Sequence, residues 1–336
     1  MTGFRAIAIS VFLIAIVSRL SLLPVQAIFS ATPVIPQYRK GIDVEHDKRC
    51  PVTSAEYSPD GRFIITASDH VVIWDAFRGT PVRILTSDDV GNAQYSPNGE
   101  YIVTDGEDTI LWNAKTGEKI RTFEGLREPN FSPDSSKLLT SDYDKASVWD
   151  VHTGGLVHIF TYEPYRLLYG ATYSPDGLFI VSFHMNGFVI WNAITGERIR
   201  AIDDYDVHYA QYSPDSRFIL LISDLMITIM NAQTGDLITS VHTTADWALT
   251  GKYSPTGRFI TATSTERFEE GYYIDIIDTE TYKFLYGLEA HPDTISSVTF
   301  SPDEKFIVTA SWDGTAIVWD VAKRTPIHTL NGCQRE

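Results

Sequence analysis

One short turn motif recurs seven times along this chain of 336 residues. Each copy is an aromatic residue followed by Ser-Pro and two turn-forming residues, as in the segment YSPDGRFI that starts at Tyr57. The serines of the seven copies are Ser58, Ser96, Ser132, Ser174, Ser213, Ser254 and Ser301, so their spacing varies from 36 to 47 residues. A period of this length indicates a repeat protein whose units stack on one another or close into a ring.

Each repeat encodes four short β-strands joined by turns. In the first repeat, apolar residues alternate over 52–57 and recur over 63–67 and 72–75, and the Ser-Pro-Asp-Gly motif separates the first two runs. Proline presets φ for the second position of such a turn and glycine accepts the left-handed conformation, which is typical of a hairpin. In the second repeat, a Thr-Gly turn leads to a fourth run over 119–123. We therefore expect a four-stranded meander of about 40 residues in each repeat.

The third run of each repeat ends in a large apolar residue that is followed by Asp or Asn. These apolar residues are Trp74, Trp112, Trp149, Trp191, Met230, Ile277 and Trp319. In this pattern the chain resembles the WD-repeat (Trp-Asp) family, whose fold is a β-propeller. The resemblance implies an all-β, seven-bladed β-propeller of four-stranded antiparallel blades over residues 46–336. The second and third runs are apolar on both faces, so a single blade cannot bury them and neighbouring blades have to stack.

The resemblance also implies a set of four buried, hydrogen-bonded side chains in a blade. In the family this set contains a His before the first strand, a Ser or Thr on the second, an Asp in the following turn and the Trp of the third. Here only the last repeat carries all four, as His291, Ser311, Asp313 and Trp319. We expect this structural tetrad to stabilise its blade and to have no catalytic role.

The net charge limits the class of partner. The chain has 43 acidic and 27 basic residues, which gives a formal net charge of −16. Nucleic-acid binding requires a basic footprint, so we expect no nucleic-acid partner and favour a basic protein or peptide. The sequence contains no nucleophile elbow, zinc-protease motif, C-x-x-C pair or phosphate-binding loop. We therefore expect a non-catalytic scaffold without a catalytic residue, a cofactor or a metal site.

The first 30 residues differ in character from the repeats. Arg5 precedes an apolar run over 6–17, and the small residues at Val25-Gln26-Ala27 resemble a signal-peptidase cleavage site. The run is too short to span a bilayer alone. We expect residues 1–27 to be a signal peptide, residues 28–45 a linker or lead-in, and the protein to be secreted or to reside in another extracytoplasmic compartment. The alternative is an uncleaved signal anchor, which would be the chain's one attachment to a membrane.

A second class of function stays open, namely a propeller enzyme or a TolB-like periplasmic propeller with a site in the central channel. Charged or His residues on several first strands would favour this class. At the positions expected to face the channel, the sequence shows mainly Ala55, Ala93, Gln94, Thr172 and Gln211. This composition favours the scaffold.

The partner-binding surface is predicted from the loops of one propeller face. These loops join the second strand to the third, and the fourth strand to the next blade. Carboxylates and aromatic residues concentrate there, and together they suit a basic ligand, because aromatic side chains supply contact area and an acidic field speeds encounter. The predicted residues are Asp88, Asp89, Asp142, Tyr143, Asp144, Tyr165, Arg166, Asp203, Asp204, Tyr205, Asp206, Trp247, Phe268, Glu269, Glu270 and Trp312.

The two cysteines lie at opposite ends of the repeat region. Cys50 precedes the first strand and Cys333 follows the last, so a closed ring would bring both to the same junction. An even number of cysteines in an exported protein favours pairing, and we expect a disulfide between Cys50 and Cys333. Two segments could complete the last blade, either residues 325–330 or a lead-in strand over 40–44.

Overall fold

The computed structural model describes most of the chain after residue 49. It describes residues 50–85, 90–124, 126–142, 144–161, 167–184, 186–203, 205, 207–223, 226–242, 247–265 and 272–332, with the backbone alone for 247–249, 264 and 265. These residues all belong to the unit Lys48–Glu336. The expected leader (1–27) and most of the expected linker and lead-in (28–45) therefore lie outside the described residues, as does Cys333.

Each of the seven repeats forms one four-stranded antiparallel sheet, or blade, in which the strands follow chain order. Blade 1 consists of β1 (Ser54–Tyr57), β2 (Phe63–Ala67), β3 (Val71–Asp75) and β4 (Thr80–Leu85). Blades 2 to 4 consist of β5 (Asn92–Tyr95), β6 (Tyr101–Asp105), β7 (Thr109–Asn113), β8 (Lys119–Phe123), β9 (Arg127–Phe131), β10 (Lys137–Ser141), β11 (Lys145–Asp150), β12 (Leu156–Thr161), β13 (Leu168–Tyr173), β14 (Phe179–His184), β15 (Gly187–Asn192) and β16 (Arg198–Asp203). Blades 5 to 7 consist of β17 (Tyr209–Tyr212), β18 (Phe218–Ile222), β19 (Met226–Asn231), β20 (Leu237–His242), β21 (Trp247–Tyr253), β22 (Phe259–Thr265), β23 (Tyr272–Asp278), β24 (Lys283–His291), β25 (Ile295–Phe300), β26 (Phe306–Ser311), β27 (Thr315–Asp320) and β28 (Thr325–Asn331).

The blades close into a ring around their first strands. The first strand of blade 1 contacts the first strands of both blade 2 and blade 7. The outer strand of the last blade is β28, which pairs with β27. The C-terminal segment therefore completes the last blade, and the fold is the seven-bladed propeller that the repeats predict. The competing lead-in strand over 40–44 lies outside the described residues.

The hydrophobic core lies between neighbouring blades. Trp74 of blade 1 is 2% exposed and packs in one cluster with Ala310 and Val318 of blade 7. In the same way, Trp319 of blade 7 packs with Ile274 of blade 6. The large residue at the end of each third strand is thus packed between two blades, because no blade buries its own faces.

The recurrent turn serine is a structural residue. Ser58 is buried, and its hydroxyl donates to Asp60 Oδ1 at 2.6 Å while accepting from the Phe63 N–H at 3.0 Å. Gly61 closes the turn with φ of +70°, which glycine adopts without steric cost. Equivalent hydrogen bonds recur in other repeats, for example from the Ser174 hydroxyl to Asp176. The motif is therefore retained because it satisfies the buried ends of the first two strands.

The fourth strands form the rim of the propeller. Strand β24 pairs with β23 through two irregular register steps, and every fourth strand has one such step near its own start. The residue skipped at that step near the start is aliphatic and exposed in every blade. These bulge residues are Val82, Ile120, Val157, Ile199, Ile238, Leu285 and Ile327. A bulge twists the edge strand and limits pairing with other chains.

Candidate functional site

The loops that join second to third strands and fourth strands to the next blade lie on one end of the ring; we call this surface the loop face. Its described residues carry carboxylates and no Lys or Arg. These carboxylates are Asp69, Glu107, Asp108, Glu124, Asp142, Asp144, Asp293 and Asp313. The charged side chains of the described loops are therefore all acidic.

The opposite end of the ring, formed by the Ser-Pro turns and the turns between third and fourth strands, is the turn face. Its carboxylates are often paired with a cation of the same turn. Arg217 Nε lies 2.6 Å from Asp215 Oδ2, and Lys305 Nζ lies 3.0 Å from Asp303 Oδ2. Such exposed pairs contribute little to stability, but they neutralise the turn face locally. The described loops of the loop face carry carboxylates without a Lys or Arg of their own, although Lys145, at the start of β11, lies 4.0 Å from Asp142.

Five of the predicted partner-binding residues have described side chains. Asp142 and Asp144 flank the tip of blade 3, and Tyr205 lies between blades 4 and 5. Trp312, in the β26–β27 loop, is 40% exposed. Asp203 is exposed but is the last residue of strand β16 rather than a loop residue. Trp247 begins strand β21, and its side chain is not described.

The other predicted partner-binding residues lie outside the described residues. They are Asp88, Asp89, Tyr143, Tyr165, Arg166, Asp204, Asp206, Phe268, Glu269 and Glu270. The described members are spread around the ring on several blades, so the loop face is a broad surface rather than a single pocket.

The central channel is lined by the residue that lies two positions before each turn serine. In blade 1, Ala55 and Tyr57 are buried against the neighbouring blades, so Glu56, which alternates with them, faces the ring centre. The equivalent residues are Glu56, Gln94, Asn130, Thr172, Gln211, Lys252 and Thr299. The prediction that Ala55 and Ala93 face the channel is wrong, because both are buried between blades, whereas Gln94, Thr172 and Gln211 occupy the channel-lining position.

Several channel side chains bond to the backbone of the next blade. Glu56 Oε1 accepts from the Tyr95 N–H at 3.4 Å, and Gln211 Oε1 accepts from the Tyr253 N–H at 3.2 Å. Burial raises the pKa of the Glu56 carboxyl to about 7, although the Lys252 ammonium and the Tyr95 N–H oppose that rise. These side chains therefore join neighbouring first strands, whereas the hydroxyls of Thr172 and Thr299 have no hydrogen-bond partner among the described residues.

Two further carboxyls lie near the loop-face end of the channel. Asp105 is buried, and its Oδ2 accepts from the Glu128 N–H at 3.0 Å. Glu128 has φ of 48°, which is unusual for a residue other than glycine. Enclosure by the protein raises the pKa of Asp105 to about 6 and that of Glu128 to about 7, although the Glu128 side chain remains accessible to water. Glu56, Glu128 and Lys252 were not predicted from the sequence as channel residues. Glu56 and Lys252 each lie two residues before a turn serine, so this constant offset locates them, but it does not locate Glu128.

The structural tetrad exists in blade 7, but its hydroxyl comes from a different residue. His291 Nδ1 lies 2.8 Å from Asp313 Oδ2, and His291 Nε2 lies 2.7 Å from the Thr309 hydroxyl, which also accepts from the Trp319 indole N–H at 3.1 Å. The assignment of Ser311 is therefore wrong. Ser311 lies two residues further along the same face of β26, where it donates to the Asp293 carbonyl and accepts from the Asp313 N–H. Hydrogen bonds from His291 and Thr315 keep the pKa of Asp313 below its usual value, against the effect of burial.

The indole–hydroxyl bond recurs in each blade that has the tryptophan, always with the residue eight positions after the turn serine. The donors and acceptors are Trp74 with Thr66, Trp112 with Thr104, Trp149 with Thr140, Trp191 with Ser182 and Trp319 with Thr309. Where Met230 and Ile277 replace the tryptophan, this position is Leu221 or Ala262, both buried. A hydroxyl residue thus occupies this position only in the blades whose third strand carries the tryptophan.

The described part of the chain bears on two alternative kinds of function, metal binding and membrane insertion. Within it, no group of three or more His, Cys, Asp or Glu side chains is arranged to hold a metal ion. Among the same residues, no helix is long and apolar enough to cross a membrane.

Comparisons with known proteins agree with this architecture. A family model described as "WD domain, G-beta repeat" matches residues 41–75 and 282–320. The chain is similar to the Periodic tryptophan protein 2 homolog of Neurospora crassa, with 34% identity over 71 residues, which make up 21% of this chain and only 8% of that relative. Among solved structures, the β-propeller domain of Cps50 (Swd1) from Myceliophteria thermophila is similar with a TM-score of 0.71 and 15% identity, over 81% of this chain and 98% of that one. At this identity the structural likeness shows the fold alone.

Proposed function

Because the chain is a WD-repeat β-propeller, we propose that it is a non-catalytic scaffold that binds a basic protein or peptide on its loop face. Propellers of this family generally bind proteins or peptides. The observation that carries the proposal is the acidic loop face, on which the described loops hold carboxylates without a single Lys or Arg. A field of one sign attracts a partner of the opposite sign and speeds its association.

Contact area for such a partner is supplied by aromatic side chains among the carboxylates. Trp312 is 40% exposed beside Asp313, and Tyr205 is half-buried close to Asp203. Large amphipathic side chains of this kind dominate binding energy at protein interfaces. The proposed ligand is therefore a basic segment with some apolar surface.

A catalytic role for the channel is the less favoured alternative. In its favour, the carboxyl pKa values of Glu56 and Glu128 are raised, and shifted pKa values often mark functional sites. Glu56, however, accepts a backbone hydrogen bond from the next blade. Because that bond connects two blades, we assign Glu56 a structural role and favour the scaffold over an enzyme with a site in the channel.

Export is a separate part of the proposal and depends on the N-terminal segment. The basic, apolar and small-residue order of residues 1–27 supports a cleaved signal peptide. Intact mass of the protein made by its own host should then correspond to a chain that starts near Ile28. A mass that includes residues 1–27 would contradict cleavage and favour the anchored alternative.

The loop face can be tested with a matched pair of variants. One carries Asp69→Asn, Asp144→Asn and Trp312→Ala on the loop face, and the other carries Asp176→Asn, Asp236→Asn and Leu178→Ala on the turn face. We expect the first variant alone to lose at least about tenfold in affinity for a labelled peptide that alternates lysine and leucine, measured by fluorescence anisotropy. Equal binding by both variants would remove the loop face as the site. Retained binding with no salt dependence would contradict the electrostatic argument.

A further inference from the structure

The outer edge of blade 3 differs from the other outer edges of the propeller. In the described part of the chain, no strand pairs with the outer side of any fourth strand. Exposed edges are usually protected by proline or charged side chains, and one or the other occurs in β4, β8, β16, β24 and β28. Strand β12, with the sequence LVHIFT, contains neither. Strand β20 also lacks both, but it has Thr and Ser at its centre.

Strand β12 also exposes more aliphatic surface than the other fourth strands. Leu156, Val157 and Ile159 are 49%, 42% and 50% exposed, and no other described fourth strand exposes three large apolar side chains. The register step lies at the start of the strand, and pairing with β11 is regular from His158 to Thr161. Alternate backbone N–H and C=O groups of this regular part point away from β11. The edge can therefore accept another strand.

A guanidinium group lies beside the start of β12 without a carboxylate partner. Arg121 of blade 2 lies against Gly154, and its Nη2 donates to the His152 carbonyl oxygen at 3.2 Å. Its Nε is buried and has no hydrogen-bond partner among the described residues, and no described ion pair involves Arg121. The guanidinium charge is therefore not balanced by a described carboxylate, and its Nη nitrogens can form charge-assisted hydrogen bonds with a carboxylate ligand.

We propose that the outer edge of β12 binds an extended, aliphatic and acidic segment of another protein, which adds to blade 3 as a fifth strand. The backbone of the edge supplies the hydrogen bonds of strand addition. Leu156, Val157 and Ile159 contact alternate aliphatic side chains of the segment, and Arg121 selects a carboxylate near its end. This rim site is independent of the loop face, whose proposed ligand has the opposite charge.

The probes are two blocked, labelled octapeptides, one that alternates aspartate with valine and one that alternates lysine with valine. Fluorescence anisotropy on the full chain should show that the aspartate peptide binds and that Ile159→Glu weakens it at least about tenfold. The matched control is Ile327→Glu, at an exposed bulge of blade 7, which should leave the Kd within about twofold. Arg121→Gln should weaken the aspartate peptide selectively. Both changed aliphatic residues are exposed, so far-UV circular dichroism should confirm the parent fold.

Three results would overturn the assignment. The first is equal or tighter binding of the lysine peptide, which would remove the role of Arg121. The second is unchanged binding by Ile159→Glu. The third is a dimer in sedimentation experiments that Ile159→Glu abolishes, since the occupant of the edge would then be a second copy of this chain. A loop-face variant that has lost the lysine–leucine peptide but still binds the aspartate–valine peptide would separate the two proposals.

Discussion

At the scale of single residues, a tryptophan and a hydroxyl residue behave as one unit. The indole N–H of Trp112 donates to Thr104 at 3.0 Å, and both residues are buried. A buried hydroxyl that loses its partner destabilises the fold by its desolvation cost. This explains why the blades with Met230 or Ile277 have Leu221 or Ala262 at the hydroxyl position.

The first prediction concerns this coupling. Trp112→Met should destabilise the protein, partly because Thr104 is left without its donor, and Thr104→Leu in addition should recover some of the loss. We expect a coupling of about 1 kcal/mol in a double-mutant cycle measured by urea unfolding. Strictly additive effects would show that the indole and the hydroxyl are independent.

The second prediction concerns the pH dependence of stability. Burial raises the pKa of Glu56 from 4.5 to about 7, so between these pH values the folded chain retains a proton that the unfolded chain releases. Stability from this group is therefore lost as the pH rises through that window. Glu56→Gln should leave the free energy of unfolding unchanged at pH 4 and raise it by about 1–3 kcal/mol at pH 8.

The control for Glu56 is Glu107→Gln in an exposed loop, which should change neither value. Urea unfolding of the three proteins at both pH values supplies the comparison. An equal change at pH 4 and pH 8 would attribute the effect to packing rather than to ionisation.

Single-residue roles were only partly predictable from the sequence. The last-blade tetrad was located correctly for His291, Asp313 and Trp319, but Ser311 and Thr309 lie on the same face of one strand and both are hydroxyl residues. Residue type alone does not show which of the two belongs to the tetrad. The spacing of eight residues from the turn serine identifies Thr309. The channel position of Glu56 is not predictable from alternation alone, because alternation identifies the residues that face the channel only when its phase is fixed by the turn serine.

At the scale of elements, side chains of the outer strands form hydrogen bonds with the backbone of turns in the next blade. Arg83 Nη1 donates to the Lys115 carbonyl at 2.6 Å, Arg121 bonds the His152 carbonyl, and His328 Nε2 lies 2.9 Å from the Phe77 carbonyl oxygen. These contacts repeat one connection from blade to blade, including the last to the first. The strands, their turns and the stacking of neighbouring blades were predictable from the sequence, since the repeat marks each strand and leaves both faces apolar, but these hydrogen bonds between blades were not.

The third prediction concerns the turn of blade 3 that Arg121 contacts. Gly154 has φ of +73° and lies against the Arg121 guanidinium, so Gly154→Ala should lower the free energy of unfolding by about 1–2 kcal/mol, mostly through backbone strain. The neighbouring Gly155→Ala is the matched control, because Gly155 has no left-handed φ. Thermal unfolding of both variants provides the measurement, and equal losses would contradict the explanation.

At the scale of the whole molecule, hydrogen bonds in both directions hold the junction of the first and last blades. The Val52 N–H donates to the Ser311 carbonyl at 2.9 Å, and Ser68 Oγ donates to the Gly332 carbonyl at 3.0 Å. The two segments thus cross the junction in opposite directions. The seven-bladed fold predicted from the sequence is confirmed, and the match of the WD-domain family model to residues 41–75 and 282–320 supports the predicted WD-repeat resemblance. Secretion stays a prediction.

The fourth prediction is the disulfide between Cys50 and Cys333. Cys333 lies outside the described residues, but Gly332 is adjacent to the Cys50 backbone, and no described cysteine is free. A cross-link over so long a loop should contribute about 2–4 kcal/mol. Cys50→Ser should therefore lower the melting temperature of the oxidised protein, while the reduced parent and the reduced variant should melt together. Two reactive thiols in the unreduced, denatured parent would refute the bond.

The completion of blade 7 by β28 has a consequence for the order of the chain. Each blade is formed by four consecutive strands of one repeat. No blade therefore needs a strand from the other end of the repeat region, and we expect folding not to depend on which blade comes first in the chain. A circular permutant that links Gly332 to Cys50 and begins at blade 3 should therefore reach the parent fold, with matching circular dichroism. Because this permutant lacks Cys333, its melting temperature should be similar to that of the reduced parent. Failure to fold would mean that the order of synthesis, and not only the ring, is part of what the sequence specifies.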